Sequence, residues 1–375
     1  MELPPSGTLA VGERVRALRA EGHQVFNLSG GSPDPRAPIP LASPEIRPDE
    51  NTLGDAWGEP ALREEFARRL ARIHGVQRSP RTEIVVTIGA KQALYFALLA
   101  MLEPMDEVVI VDPCWVTYGP SVALAGGCSV PVALGAGDRL DLAAVAAAVG
   151  QRTRAIIINT PHNPTGRVFT ETELSALAAL VSDRKLWLIC DESFDLFVFD
   201  DNRHLSPGVF DAIRDQTILL YSFSKAFAMP SHRVGMLVGP ESVCRLVANC
   251  TQQVISSVSL ASQKVAMEAL VVEPSWAPTL RQAYQRKRDA CMSLLAGDSR
   301  LELTPPQGTF YLFPRVARTG LSGDAMTEHL LRAGVAVTSG AAFGTAGQDH
   351  IRINLVGPLP MIVEGVTRLV AELPA

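Results

Sequence analysis

The sequence predicts an α/β protein with a three-layer domain around a mostly parallel sheet and a smaller α+β domain beside it. Three observations carry this reading. Between about residues 83 and 238, short apolar runs of buried-strand type recur with helical segments between them. Polar and glycine-containing turns follow the ends of several of these runs. After residue 240 the rhythm changes to longer helices, and short strands return in the tail.

Taken in order, residues 1–40 read as an arm with a short helix over 11–20. Leu28-Ser29-Gly30-Gly31-Ser32-Pro33-Asp34-Pro35 is a glycine turn with a proline stop. Its paired glycines let backbone come close to a ligand. An irregular loop reaches residue 58. A helix then starts at Glu59-Pro60 and carries Leu62, Phe66, Leu70 and Ile73 on one apolar side. Strands are expected at 83–87, 107–111, 129–132, 155–159, 186–190, 217–221 and 235–238. The third holds Pro131, which puts it near an edge. Gly89-Ala90-Lys91 opens a helix running to about Leu102. Further helices fall near 141–149, 171–181, 278–296 and 361–372, and tail strands near 309–313, 335–337 and 350–355. The expected division is a large domain over 41–265 and a small domain over 266–375, which the 1–40 arm joins.

The stretch Ser222-Phe223-Ser224-Lys225-Ala226-Phe227-Ala228-Met229-Pro230-Ser231-His232-Arg233-Val234-Gly235 organises the chemistry. It places hydroxyls, a lysine and an arginine just past a strand's carboxyl end, where open α/β sheets bind ligands. A lysine there can form a Schiff base, and the hydroxyls and arginine suit a phosphate. Together they suggest pyridoxal 5′-phosphate (PLP). Four other stretches fall at strand ends. Gly89-Ala90-Lys91 offers backbone N–H groups at a helix N-terminus, a phosphate cradle. Asn159-Thr160-Pro161-His162-Asn163-Pro164-Thr165-Gly166 is a rigid polar loop. Asp191-Glu192-Ser193-Phe194 ends a strand in a carboxylate, and Asp112-Pro113-Cys114-Trp115 brings an aromatic to the same edge. A lone aspartate after a strand is more often a cap or an ion-pair partner. The convergence of all these groups at one face of one sheet is the argument.

Composition narrows the classes. Hydrophobic residues make up 47% and charged residues 19%, a globular balance. The net charge of -5 gives no reason to expect nucleic acid or an anionic membrane as partner. No signal-peptide pattern follows Met1-Glu2-Leu3-Pro4-Pro5, and the apolar stretches are too short or too broken to span a bilayer. A cytoplasmic location is therefore expected. Cys114, Cys128, Cys190, Cys244, Cys250 and Cys291 are scattered without metal-type spacing, and the histidines show none either, so no metal is expected.

On these motifs the chain resembles the PLP-dependent aminotransferases of fold type I, class I/II, related to aspartate and aromatic aminotransferases. The most specific pieces are Ser-Phe-Ser-Lys with an arginine eight residues after the lysine, and Asn-Pro-Thr-Gly with Asp-Glu further on. The resemblance runs from about residue 31 to residue 352 and implies a seven-stranded large domain with a small α+β domain. It implies that Lys225 holds the cofactor as a Schiff base and shuttles the proton, while Asp191 keeps the pyridine nitrogen protonated. It implies that Asn163 bonds the phenolic oxygen, Trp115 stacks on the ring, and Phe194 lies beside it. The phosphate falls to Ser222, Ser224, Arg233 and the backbone of Gly89, Ala90 and Lys91. Arg352, with Gly31 and Asn163, takes the substrate α-carboxylate, which suits a planar guanidinium. Gly308-Thr309-Phe310 and the 339–344 loop belong to the small-domain side of the site. The resemblance further implies a homodimer with the site at the subunit interface, amino-acid and 2-oxo-acid substrates, and a place in amino-acid metabolism and biosynthesis.

The chain departs from the family at several positions. Phe194 stands where most members have a tyrosine that bonds the cofactor's phenolate, and it has no donor. Leu53 stands where relatives carry a tyrosine that reaches the neighbouring subunit's phosphate. Ser231-His232-Arg233 replaces Gly-Trp-Arg, and Ala226 replaces a hydroxyl. One reading is an ordinary but divergent transaminase. A second is a PLP enzyme of another Cα reaction, such as oxygen-dependent oxidation, elimination or decarboxylation. A third is a non-catalytic PLP-binding regulator, although no helix-turn-helix is attached. For the substrate side chain, Phe26, Trp57, Trp115 and Tyr118 favour a neutral or aromatic group. Arg36 is the nearest candidate for a second carboxylate and reads as a surface charge.

Overall fold

The computed structural model describes residues 7–31, 33 and 52–374. The chain begins with α1 (Gly7–Ala20), β1 (Phe26–Asn27) and α2 (Pro60–His74). Next come β2 (Ile84–Thr87), α3 (Gly89–Met101), β3 (Glu107–Asp112), α4 (Tyr118–Leu124), β4 (Cys128–Ala133), α5 (Leu142–Ala148), β5 (Thr153–Asn159) and α6 (Glu171–Arg184). They are followed by β6 (Trp187–Asp191), β7 (Thr217–Ser222), α7 (Phe223–Ala226), β8 (Gly235–Val238), α8 (Glu241–Ile255) and α9 (Leu260–Leu295). The tail holds β9 (Tyr311–Leu312), α10 (Gly323–Arg332), β10 (Val335–Ala336), β11 (Thr338–Ser339), β12 (Ile351–Asn354) and α11 (Leu359–Ala371).

The seven apolar runs form one sheet in the order β2-β8-β7-β6-β5-β3-β4. Pairing is parallel from β4 through β7, and β8 runs antiparallel to both β7 and β2. Because β8 is reversed against both neighbours, β2 points the same way as the parallel strands. The ends at Thr87, Asp112, Asn159, Asp191 and Ser222 therefore share one edge. Strand β4 lies at one edge of the sheet, as its proline requires.

The strands are buried on both faces because helices cover both. Val108 and Ile110 of β3 pack with α3, α4 and α8 side chains such as Leu94, Val122 and Val247. Val109 and Val111 point the other way, toward Phe66 of α2, Leu177 of α6 and Ala266 of α9. Helix boundaries follow local chemistry. Pro60 opens α2, and Gly75 at φ 69 closes it. A Thr170–Glu173 capping box starts α6.

Two small sheets make up the tail. One is antiparallel in the order β11-β12-β9, and the other pairs β1 with β10 in parallel. The N-terminal stretch is stitched into this region, with Leu28 N donating to Ala336 O at 2.8 Å and Asn354 N to Leu28 O at 2.8 Å. Thr338 Oγ1 donates to Ser29 O at 2.8 Å.

Several bounds differ from expectation. Helix α1 begins at Gly7, four residues before the expected 11–20 segment. Helix α9 has 36 residues and passes through Pro274 and Pro278, so it begins well before the expected 278–296 segment. Each proline removes a backbone donor, at about 3 kcal/mol in a helix interior. Burial of Leu270, Trp276, Leu280 and Tyr284 on the core side offsets that cost. The expected 265/266 boundary lies within the first turns of this helix.

Candidate active site

The shared sheet edge gathers most of the sequence-predicted site residues. Asn159 at the end of β5 donates from Nδ2 to Asp191 O at 2.7 Å, and its Oδ1 accepts from Asn163 N at 2.7 Å. One side chain thus ties the 160–166 loop to the end of β6. Asp191 is buried. Its Oδ1 accepts from Ser193 N at 3.0 Å and its Oδ2 from the Tyr118 hydroxyl at 2.9 Å. Burial raises its pKa, while the Ser193 and Tyr118 donors and the Lys225 charge oppose the rise.

Lys225 sits on the single turn of α7, directly after β7. Its Nζ donates to Gly31 O, so the arm and the sheet edge meet at this amine. The residue is half-buried, and desolvation of the amine pulls its pKa down to about 7. Arg352, Arg233 and Lys91 add to that fall, and Asp191 opposes it. The result is an amine poised near neutrality.

Around the start of α3 the backbone is tight. Gly89 has φ 68, and a Cβ there would lie 2.8 Å from Arg233 Nη2. Arg233 itself has φ 55, and its Nη1 donates to Ser224 Oγ at 3.1 Å. Helix α3 has no capping side chain, so the first amides, Gly89 to Lys91, lack a cap beside the guanidinium that Ser224 Oγ accepts from. The Lys91 side chain is exposed, and its Nζ lies 5.6 Å from the centre of the Trp115 ring. Trp115 meets Tyr118 edge-on at 5.5 Å.

On the tail side, Arg352 is 2% exposed. Its guanidinium lies between the rings of Tyr311, at 4.1 Å, and Phe343, at 4.5 Å. Nη1 donates to Asn163 Oδ1 at 3.0 Å, Nη2 reaches only Ser29 O at 3.5 Å, and Nε has no partner. A buried guanidinium with idle donors is a site for an anion. Gly31 adjoins it, since a Cβ there would lie 3.8 Å from Arg352 Nη2 and 4.0 Å from Lys225 Nζ. Thr309 N donates to Phe197 O at 2.9 Å, which fixes the 308–310 turn. The 339–344 loop is held to the large sheet by Cys114 N to Phe343 O at 2.7 Å and by Thr345 Oγ1 to Asp112 Oδ2 at 2.8 Å.

Phe194 packs edge-on against Phe310 at 5.3 Å and Tyr311 at 5.7 Å. Leu53 is 78% exposed. Phe26 is a core residue of β1, and Arg36 lies outside the described residues. Sequence reasoning missed the hydroxyl of Tyr118 as a donor to Asp191 and the two rings around Arg352. It also missed a buried polar network under the 192–195 segment. There Glu192 accepts from Ser206 Oγ and Tyr221 OH, each at 2.6 Å, and lies 3.2 Å from His204 Nε2. Asp195 lies 3.0 Å from His74 Nε2, and Arg69 bridges Asp195 and Glu273 at 2.8 Å each. His74, Glu192 and His204 bring ligand-type atoms within 4.8 Å of one another, a grouping invisible to sequence spacing.

Comparison with known proteins now decides the family. The profile described as "Aminotransferase class I and II" matches residues 26–369. The chain belongs to the class I and II aminotransferases. A probable aspartate/prephenate aminotransferase of Aquifex aeolicus is 34% identical, covering 98% of this chain and 95% of that protein. An arginine–pyruvate transaminase of Pseudomonas aeruginosa is 35% identical, covering 92% and 88%. The solved structure of Thermus thermophilus aspartate aminotransferase with maleate superposes with a TM-score of 0.92 at 31% identity, covering 99% of this chain and 97% of that one.

Aminotransferases of this class depend on PLP and move amino groups between amino acids and 2-oxo acids, and this chain is an enzyme of that kind. Its residues fit the cofactor. Gly89 leaves no room for a side chain beside Arg233, and Asp191 offers a buried carboxylate at the sheet edge that feels the Lys225 charge.

Proposed function

We propose that Lys225 binds PLP covalently and transfers the substrate proton, with Asp191 pairing the ring nitrogen. PLP bound there supplies an electron sink for the carbanion at the substrate Cα. Tyr118 and Ser193 hold Asp191 as a fixed acceptor, so its charge is aimed before the reaction starts. Asn163 orients the ring oxygen and, with Gly31 and Arg352, the substrate carboxylate. Gly89, Ala90, Lys91, Ser222, Ser224 and Arg233 hold the phosphate, and Trp115 covers the ring. The observation that carries this reading is the buried Arg352 guanidinium, which keeps an orphan Nε and sets its Nη2 beside Gly31 next to the Lys225 amine, a carboxylate receptor beside an amine with a lowered pKa.

The amino donor in this proposal is a neutral or aromatic L-amino acid. The relatives described above act, by name, on aspartate, prephenate and arginine, so the family sets the reaction and not the side chain. Trp57 and Trp115, both half-buried, support that preference. A homodimer completes the site. Leu53, Leu246 and Val254 are exposed, and Gly54 N bonds Ser257 Oγ at 3.1 Å, which brings the Leu53 segment next to the end of α8. That apolar surface suits a second copy. The two-domain division at 265/266 and a cytoplasmic role in amino-acid biosynthesis belong to the same proposal. Six unpaired cysteines support a reducing compartment.

The test is an anaerobic absorbance scan of PLP-loaded enzyme against each common amino acid, followed by air and then by a 2-oxo acid. Conversion to the pyridoxamine form, reversed only by the 2-oxo acid, establishes transamination and names the donor. Decay with oxygen uptake overturns it.

A further inference from the structure

We infer that Tyr311 is a further ligand of the substrate carboxylate, its hydroxyl acting with Arg352 Nη2 at one point beside Gly31. The inference rests on the proposed roles of Lys225 and Arg352.

Strand pairing makes this contact. Tyr311 of β9 stands opposite Asn354 of β12. Arg352 lies two residues back on β12, on the same face as Asn354 and diagonal to Tyr311. The Tyr311 ring therefore lies against the guanidinium, 4.1 Å from its carbon. Its hydroxyl continues past the guanidinium toward Gly31. A Cβ built on Gly31 would lie 3.5 Å from that hydroxyl, 3.8 Å from Arg352 Nη2 and 4.0 Å from Lys225 Nζ. The Tyr311 hydroxyl and Arg352 Nη2 thus face one small space beside Gly31, with Lys225 Nζ next to it.

The hydroxyl is poorly served without a ligand. Tyr311 is 1% exposed, and its hydroxyl reaches Gly31 O only at 3.5 Å, beyond a normal O–H···O bond. That carbonyl already accepts from Lys225. A buried donor left this weakly paired is costly, and a carboxylate oxygen in the space would satisfy it. The phenol stays protonated as a donor, because burial pushes its pKa up against the opposing effect of Arg352. The neighbouring rings of Phe194 and Phe310 can supply no such bond.

The test uses PLP-loaded enzyme and two non-reacting carboxylates, 3-phenylpropionate and acetate, with 3-phenylpropanol as the control lacking charge. Binding is followed by calorimetry and by cofactor absorbance. Tyr311→Phe keeps the ring on Arg352 and should fold, which thermal melting checks. It should weaken both carboxylates about tenfold, as for a lost hydrogen bond to a charged group, and leave the alcohol unchanged. The KM for amino acid and 2-oxo acid should rise by a similar factor with kcat within about threefold. If Tyr311→Phe binds the carboxylates as wild type does while Arg352→Lys loses them, the inference is wrong and the Arg352 role stands. Equal losses for acid and alcohol would reduce Tyr311 to packing and also overturn it. If neither variant weakens the carboxylates, the proposed carboxylate site itself falls.

Discussion

Replacing Asp191 by asparagine isolates charge from geometry at the centre of the site. The aspartate accepts from Ser193 N at 3.0 Å and from the Tyr118 hydroxyl at 2.9 Å. Asparagine can keep both contacts. Its carbonyl oxygen accepts from Ser193, and its NH2 group donates to a Tyr118 hydroxyl that turns its proton away. The strand end should therefore keep its shape while its negative charge disappears. Removing one member of a buried ion pair costs about 3–5 kcal/mol. If that cost falls on the step that loads charge onto the ring, it slows the rate roughly 150-fold to 5,000-fold at 1.36 kcal/mol per decade. Stopped-flow mixing of PLP-loaded Asp191→Asn with the amino-acid donor reads that rate directly. Cofactor content and melting behaviour should stay near wild type. A rate within tenfold of wild type, with cofactor fully bound, would refute a charge-pairing role for Asp191.

The other predictions concern three different groups. Covalent capture of PLP by the cofactor-free protein needs a neutral Lys225 amine, so its pH midpoint should lie near 7, and a midpoint near 10 would contradict the site's electrostatics. Between pH 7 and 10.5 the unfolded chain binds more protons at this lysine than the folded protein does. Cofactor-free stability should therefore rise with pH across that window, and Lys225→Met should flatten the rise in denaturation midpoints. Phe194→Tyr restores a donor toward the cofactor's phenolate, so the pKa read from cofactor absorbance should fall relative to wild type, and coincident titrations would sink the idea. Arg69→Met leaves Asp195 and Glu273 buried without their shared cation and should cost about 3–5 kcal/mol of unfolding free energy, with a loss under about 1 kcal/mol as the contrary result.

Which of these groups a reader of the sequence could find follows from how each is placed. Lys225, Asp191 and Asn163 follow apolar runs that can only be buried strands, so the position of each past a strand end is legible from the run itself. The sheet's parallel rhythm and the edge position of β4 were legible for the same reason. Helix α9 was half hidden, because Pro274 and Pro278 read as breaks and only tertiary burial keeps the helix whole. Tyr118, Tyr311 and Phe343 owe their roles to where a ring turns after the chain has folded. His74, Glu192 and His204 meet across more than a hundred residues of sequence, and no local pattern encodes that.

The site's charge balance explains why these scattered pieces belong together. The chain as a whole is acidic, with a net charge of -5. Yet Lys225 feels Arg352, Arg233 and Lys91 against a single opposing carboxylate, Asp191. Desolvation first, and then that excess of positive charge, disfavours a protonated Lys225, and a Schiff-base lysine needs a neutral amine. It also has a cost, because like charges held together destabilise the fold. A phosphate near Arg233 and a carboxylate near Arg352 would each remove part of that repulsion. In the proposed roles, cofactor and substrate would bind by completing an electrostatic arrangement that the three chain segments have already set. The arm supplies Gly31, the sheet edge supplies Lys225 and Asp191, and the tail supplies Arg352 and Tyr311. Because Tyr311 and Arg352 are fixed by strand pairing before any ligand arrives, little of the binding energy is lost to ordering them.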